Sequence, residues 1–438
     1  MLTRVVMGTV DGDPPAVAAS QLAKLGLVNR AFRDTATQVQ QKQPAVQRAT
    51  SEQQLAHAIK EAIGEWARVQ TDRLNHPAKE DGRFDTLEES ITARLGAVVR
   101  GLDPVIVDLS HFGNRDRLAQ VFQDALSRHQ NLRALEVVAQ EGWQLNQMTQ
   151  LLDTRPELLR SLDVAMETNY KLVDANSGKS AGLLAKVLAK QTNLTALKLQ
   201  DRHEATFGRA RSPLVYNHMD KAVASLPGLK SLALSGYHFL QQDGKNDGTT
   251  LAEVLRKLPA LEALELSNSV FKAAAFAEFA SSWRTLPGLR FLDLGQTDLR
   301  GELDVDGESI GHLARMLPAL EKLETLNLSS TGLRSADIDH LASGLTGLKH
   351  LQTLNLTGNS LGPEGRSRLI AVAADVPTLQ HLHLSRPLRR ETPDLATLES
   401  ALSPLAERRE LHVHLTGMDE ESVSQLQAAL PNLRISND

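Results

Sequence analysis

Residues 323–333 read LETLNLSSTGL, and residues 351–361 read LQTLNLTGNSL. Both stretches carry the pattern L-x-x-L-x-L followed by small polar residues, and the second begins 28 residues after the first. A strand-sized pattern that recurs at this distance is typical of a structural repeat and not of an isolated active-site motif.

The same pattern recurs from residue 104 to residue 416. The middle apolar residue of each copy, from Val107 and Leu135 through to Val413, follows that of the previous copy by 27 to 35 residues. Nine copies match closely: 131–137, 158–164, 193–199, 228–234, 260–266, 288–294, 322–328, 350–356 and 378–384. Two copies are degenerate: PVIVDLS (104–110) and ELHVHLT (410–416). Segments between them, such as 250–261 and 336–348, place apolar residues at helical spacing. Several end in Leu-Pro, which stops a helix, so each unit reads as strand, turn and helix.

This arrangement resembles the leucine-rich repeat family of the longer, helix-backed kind found in ribonuclease inhibitor, over roughly residues 101–438. The resemblance implies an α/β solenoid of about eleven repeats, in which a curved parallel sheet is backed by helices. The family's buried Asn or Cys after the strand corresponds here to Asn359, and to Thr297, Thr331 or Ser269 in other copies. Each of these side chains can hydrogen-bond to loop backbone.

Composition excludes several classes of function. The chain has 438 residues, a formal net charge of -5 and no cysteine. The charge does not favour nucleic acid as a partner, and the absence of cysteine excludes disulfides, thiolate metal sites and cysteine nucleophiles. No apolar run approaches the roughly 20 residues of a membrane helix, and residues 1–13 do not resemble a secretory signal. We expect a soluble protein without a membrane partner.

Motifs of enzymes are missing as well. The sequence contains no serine elbow, phosphate-binding loop or zinc-binding helix. We therefore expect no enzymatic activity, no cofactor and no metal.

Alternate residues of a parallel strand point to one face of the sheet, so the polar positions of the repeat predict columns across a concave surface. A surface of eleven strands suits a protein partner better than a small substrate. An alternative interpretation is that these positions are polar only for solubility. The candidate partner-binding residues on this face are Glu265, Asp293, Asn327, Asn355, His381, His383, His412 and His414.

The histidines come from HLHL (381–384) and HVHL (412–415). The alignment pairs His381 with His412 and His383 with His414 across neighbouring strands. Neutral imidazoles in such a grid could chelate zinc or nickel, although His-x-His pairs are more often plain polar strand positions. A surface patch that responds to pH is a further alternative.

Residues 20–36, SQLAKLGLVNRAFRDTA, precede the repeats and place Leu22, Leu25, Val28 and Phe32 on one helical stripe, with Leu27 beside it. The simplest interpretation is an amphipathic helix that covers the end of the repeat stack. The run also resembles the second half of an F-box, to which Leu27, Val28, Asn29, Arg30, Phe32 and Arg33 correspond. The resemblance implies that Leu22, Leu25, Leu27, Val28 and Phe32 contact a Skp-type adaptor.

The sequence thus predicts three regions: an F-box-like helical segment (1–37), a polar linker with bridging helices near 55–74 and 86–100 (38–100), and the leucine-rich repeats (101–438). F-boxes joined to leucine-rich repeats occur in ubiquitin-ligase receptors and in type III effectors of plant-associated bacteria. The resemblance implies an adaptor, secreted into a host cytoplasm, that links a target protein to a cullin-RING ligase. The alternative is a leucine-rich repeat interaction module, either a secreted effector or a scaffold, without a role in ubiquitination.

Overall fold

The chain forms two compact units, Met1–Leu229 and Lys230–Asp438. The computed structural model describes residues 45–75, 82–100, 102, 105–108, 121–122, 124–126, 132–139, 149–153, 159–166, 177–201, 222–235, 238–239, 247–271, 273–299, 308–385 and 395–437. The F-box-like segment, with Leu22, Leu25, Leu27, Val28 and Phe32, lies outside these residues.

The described elements of the first unit are helices and parallel strands. In chain order they are α1 (Ala45–Asn75), α2 (Gly82–Arg100), β1 (Val105–Asp108), β2 (Ala134–Ala139), β3 (Ser161–Met166), α3 (Ser177–Leu188) and β4 (Ala196–Asp201). Strands β1, β2, β3 and β4 pair in that order, so neighbours in sequence are neighbours in the sheet.

In the second unit, strands and helices alternate. Its strands are β5 (Ser231–Ser235), β6 (His238–Phe239), β7 (Ala263–Glu265), β8 (Val270–Phe271), β9 (Phe291–Asp293), β10 (Thr325–Asn327), β11 (Thr353–Asn355), β12 (His381–Ser385), β13 (His412–Thr416) and β14 (Arg434–Ser436). Its helices are α4 (Asp247–Leu255), α5 (Ala273–Ser281), α6 (Glu308–Met316), α7 (Ile338–Thr346), α8 (Gly362–Ala374), α9 (Leu395–Leu402) and α10 (Glu420–Ala429). The main sheet has the order β5-β7-β9-β10-β11-β12-β13-β14, while β6 and β8 form a separate parallel pair.

The register of the strands confirms the leucine-rich repeat architecture. Leu264 pairs with Leu292, and Leu326 pairs with both Leu292 and Leu354. Each of these middle leucines is at most 1% exposed. Burial of one such side chain contributes about 1.5–3 kcal/mol, and the same contact recurs in every repeat. The sequence pattern thus sets both the strand pairing and the core.

The first and last strands differ from the sequence alignment. Val107 was aligned with Leu135, whereas Val105 is the residue that pairs with Leu135. A shift of two residues leaves every side chain on the same face, so the apolar run 105–107 could not distinguish the two registers. The alignment also missed β14, in which Ile435 pairs with Val413.

Turns after the strands share one backbone geometry. Asn268, Gln296, Ser330 and Gly358 stand at the same position in four successive repeats, and each has a positive φ, between 53° and 74°. The amide nitrogens of the first three donate to carbonyl groups of the next repeat, at 2.8, 2.6 and 2.7 Å. The left-handed turn therefore continues the hydrogen-bonded ladder beyond the strand.

Asn359 ties two of these loops together, as the sequence predicted. Its Nδ2 donates to the carbonyls of Leu328 (2.7 Å) and Leu356 (3.0 Å), and its Oδ1 accepts from the amides of Thr331 and Leu333, both at 3.0 Å. At the equivalent positions, the hydroxyls of Thr331 and Thr297 donate to strand carbonyls at 2.8 and 3.0 Å. A hydroxyl can thus replace the family's asparagine because it satisfies the same kind of backbone carbonyl.

The helices before the repeats extend further than predicted. The sequence assigned residues 38–54 to a polar linker, but α1 begins at Ala45, and α2 begins at Gly82. The two helices pack against each other through apolar side chains such as Leu55 and Leu95, and Arg94 donates to Glu65 at 2.9 and 2.5 Å. Hydrogen bonding from Arg94 lowers the pKa of Glu65. None of the helices in the described residues is both long and apolar enough to cross a membrane.

Candidate protein-binding face

The side chains that flank the middle leucine form three columns on the polar face of the second unit's sheet. The register gives the members of each column. The first column, directly before the middle residue, is Ser231, Ala263, Phe291, Thr325, Thr353, His381, His412 and Arg434. The second column, directly after it, is Ala233, Glu265, Asp293, Asn327, Asn355, His383, His414 and Ser436. The third column, two residues further, is Ser235, Ser267, Gly295, Ser329, Thr357, Ser385 and Thr416.

Most of the predicted contact residues belong to the second column, and all of these except Asn355 are buried. Asp293 is 0% exposed, Asn327 5%, and His383 and His414 7% each, while Asn355 is half-buried. Neighbouring strands stand about 4.8 Å apart, so each side chain is covered by those on either side. The second column is therefore the floor of the polar face.

Hydrogen bonds fix this floor in place. Asp293 Oδ1 accepts from the amide of Gly295 at 2.7 Å and from Asn327 Nδ2 at 2.8 Å. Asn327 Oδ1 accepts from the amide of Ser329, and Asn355 Oδ1 accepts from the amide of Thr357, both at 3.0 Å. Each side chain thus hydrogen-bonds to the start of the turn that follows its strand, and Asp293 also hydrogen-bonds to a side chain of the next repeat.

Glu265 is held in a similar way, at 8% exposure. Its Oε1 accepts from the hydroxyls of Ser235 at 3.0 Å and Ser267 at 3.2 Å. Because Asp293 is fully buried, Glu265 and Asp293 expose little surface to a protein partner. Their charges would therefore act on a partner through the side chains that cover them.

The half-exposed positions of the polar face are the first column from β10 to β14, the third column except Gly295, and Asn355 and Ser436 of the second column. Thr325, Thr353, His381 and His412 are half-buried, and Arg434 is exposed. Of these five residues, only the two histidines were predicted from the sequence, and Thr325, Thr353 and Arg434 were not. The signal was present, since all five stand directly before the middle apolar residue of their repeat.

The four histidines come together as the register predicted, with His381 beside His412 and His383 beside His414. The rings of His383 and His414 are stacked, with centroids 4.1 Å apart and an angle of 6° between planes. His381 Nδ1 lies 3.2 Å from His414 Nε2, and Ser436 Oγ lies 3.1 Å from His414 Nδ1. His414 is therefore the centre of the group.

Comparisons with known proteins give structural likeness only. No protein-family model matches the chain, and no curated protein sequence matches it. The structure is similar to the crystal structure of an internalin from Listeria monocytogenes, at 18% identity and a TM-score of 0.34, over 68% of this chain and 76% of that chain. It is also similar to a protein from Bacteroides fragilis, at 14% identity and a TM-score of 0.31, over 57% of this chain and 65% of that one.

Proposed function

We propose that this chain is a non-enzymatic protein-binding adaptor, and that the first column from β10 to β14 contacts the partner. The observation that carries the proposal is the difference in burial and hydrogen bonding between the first and second columns. In the second column, Asp293 and Asn327 are buried, and they and Asn355 are hydrogen-bonded, so the surface above them is held rigid before a partner arrives. A preorganised surface loses less conformational entropy on binding.

The first column also has the chemistry of a contact surface. Thr325 and Thr353 are short and half-exposed, so ordering them costs little entropy compared with long side chains. The imidazoles of His381 and His412 add donors, acceptors and flat ring surface. Arg434 is exposed and lies at one end of the first column. Its guanidinium suits a bidentate contact with a carboxylate of the partner.

A capture experiment from eukaryotic cell extract tests this proposal. The bait variant Thr325→Arg with Thr353→Arg puts two long charged side chains on the first column. The matched control, Glu321→Arg with His350→Arg, adds the same side chains at exposed positions outside the columns. We expect quantitative mass spectrometry to show proteins retained by the wild type and the control but reduced at least about tenfold by the first-column variant, equivalent to about 1.4 kcal/mol. Equal retention by all three baits would refute this surface.

We further propose a finer form of this function. Residues 1–37 would be an F-box-like segment, residues 38–100 a bridge, and residues 101–438 the receptor for a target protein. The support is the run LVNRAFR at 27–33, whose residues match the F-box pattern. The segment would dock on the Skp-type adaptor of a cullin-RING ubiquitin ligase, in a host cell reached by type III secretion.

Binding to a purified Skp-type adaptor tests the finer form separately. Leu27→Asp with Val28→Asp should abolish a micromolar complex, because each buried apolar side chain contributes about 1.5–3 kcal/mol. Lys24→Ala, off the apolar stripe, should leave it intact. If the wild-type chain does not bind the adaptor, the ubiquitin role fails, and a leucine-rich repeat interaction module is what remains.

A further inference from the structure

Three histidines on two neighbouring strands converge on one point of the polar face. His412 and His414 are two residues apart on β13 and therefore share a face, and His381 is the register partner of His412 on β12. One ring nitrogen from each of His381, His412 and His414 can be chosen so that all three lie within 4.8 Å of one another. This convergence follows from the repeat, because a histidine at the same motif position in successive units must meet its copy.

One pair of ring nitrogens has the spacing of two ligands of a tetrahedral ion. Zinc binds imidazole nitrogen at about 2.0–2.1 Å, so two ligands of a tetrahedral site stand about 3.3 Å apart. His381 Nδ1 and His414 Nε2 are 3.2 Å apart. The remaining ring is that of His412, whose centroid lies 4.0 Å from that of His414. Zinc binding would require the half-buried His412 ring to bring a nitrogen to the same spacing.

A second contact orients the central ligand. Ser436 Oγ lies 3.1 Å from His414 Nδ1, and its hydroxyl can accept the Nδ1 proton. That tautomer leaves the Nε2 lone pair directed at His381. Histidine ligands of metals almost always donate their other ring N–H to an oxygen acceptor, usually a carboxylate, a backbone carbonyl or water, and the hydroxyl of Ser436 is an acceptor in that place. The ring of His383, stacked on His414 at 4.1 Å, limits rotation from the other side.

We propose that His381, His412 and His414 form a binding site for a divalent transition-metal ion of the zinc type. Three neutral imidazoles suit zinc, cobalt, nickel or copper, whereas calcium and magnesium prefer oxygen ligands. Three protein ligands leave the fourth tetrahedral position for water. His381 and His412 are half-buried, so the ion reaches the site from solvent. Ser436 is a positioning residue that acts through His414.

Metal binding by the full-length chain without an affinity tag, treated with chelator and dialysed, tests the site. We expect calorimetry with Zn²⁺ to give one ion per chain, and Co²⁺ to give the visible absorption of a four-coordinate ion. His381→Ala with His412→Ala removes two half-buried ligands and should weaken Zn²⁺ binding by more than about 100-fold. Ser436→Ala should weaken it by about 10- to 100-fold, the usual effect of losing a ligand's hydrogen-bond partner.

The control keeps the histidine count equal. His340→Ala with His350→Ala removes two exposed histidines of the fourteen in the chain, and binding should not change. Circular dichroism shows whether each variant is folded. An ion that binds the His381/His412 variant as tightly as the wild type would overturn the site, and so would the absence of Zn²⁺ binding by the wild type. Either result would leave the proposed protein-binding function intact, because that function does not require the ion.

Discussion

Arg408 shows how a single side chain can join two repeats. Its guanidinium donates to the carbonyls of Val376 at 3.1 Å, Pro377 at 2.9 Å and Leu379 at 2.8 Å. These residues follow α8, and the last carbonyls of a helix and the turn beyond it lack partners within the helix. Burial lowers the pKa of Arg408, yet an arginine remains protonated in proteins. The contact therefore depends on the forked shape of the Arg408 guanidinium as much as on its charge.

Arg408→Lys should lower the free energy of unfolding by about 2 kcal/mol. An ammonium group is too compact to reach all of these carbonyls, and the partly buried carbonyl of Leu379, left without a donor, would cost about 1–3 kcal/mol. Arg409→Lys is the matched control, since Arg409 is exposed, and its effect should stay within about 0.5 kcal/mol. Urea denaturation curves measure both. Equal urea midpoints for Arg408→Lys and Arg409→Lys would show that the forked guanidinium of Arg408 is not needed for stability.

At the scale of elements, the helices of successive repeats approach each other at small residues. A Cβ added to Gly344 in α7 would lie 2.5 Å from the carbonyl oxygen of Ala314 in α6. Backbone atoms cannot retreat as a flexible side chain can, so Gly344 allows the close spacing of the two helices. Gly311, also in α6, has no neighbour within 4 Å of the same added atom.

The two glycines should respond to alanine with opposite signs. Gly344→Ala should lower the free energy of unfolding by about 1–3 kcal/mol, because α6 and α7 would have to separate. Gly311→Ala should raise it by up to about 1 kcal/mol, since alanine favours a helix over glycine and meets no obstacle. Thermal or urea denaturation of the two variants decides the matter. Stabilisation by both substitutions would mean that α6 and α7 are not in close contact.

The elements also show what the sequence could and could not predict. The middle leucines were predictable because the same pattern, and with it the same core contact, occurs many times along the chain. The register of β1 was not, since a shift of two residues changes no face. Strand β14 was missed because Asn432 and Asn437 stand where the outer leucines of the pattern would flank Ile435, so no L-x-x-L-x-L copy is centred on it.

The candidate site was predicted only in part. Pairing of the histidines followed from the alignment alone, and the structure confirms it. The burial of Asp293 and Asn327 could not be read from their own positions, because the covering atoms belong to neighbouring strands. Asp293 and Asn327 thus form a buried floor, and Thr325 and Thr353 are half-buried beside it, while contact of any of them with a partner stays a prediction.

For the whole molecule, the central claim is that leucine-rich repeats present the polar face from β10 to β14 to a protein partner, while the helices support the sheet. Hydrogen–deuterium exchange, with and without a protein captured by the first-column test, examines this claim most directly. We expect slower exchange in peptides that cover β10 to β14 and the turns after them, and unchanged exchange in α6, α7 and α8. Protection confined to those helices, with the strand and turn peptides unaffected, would contradict the account.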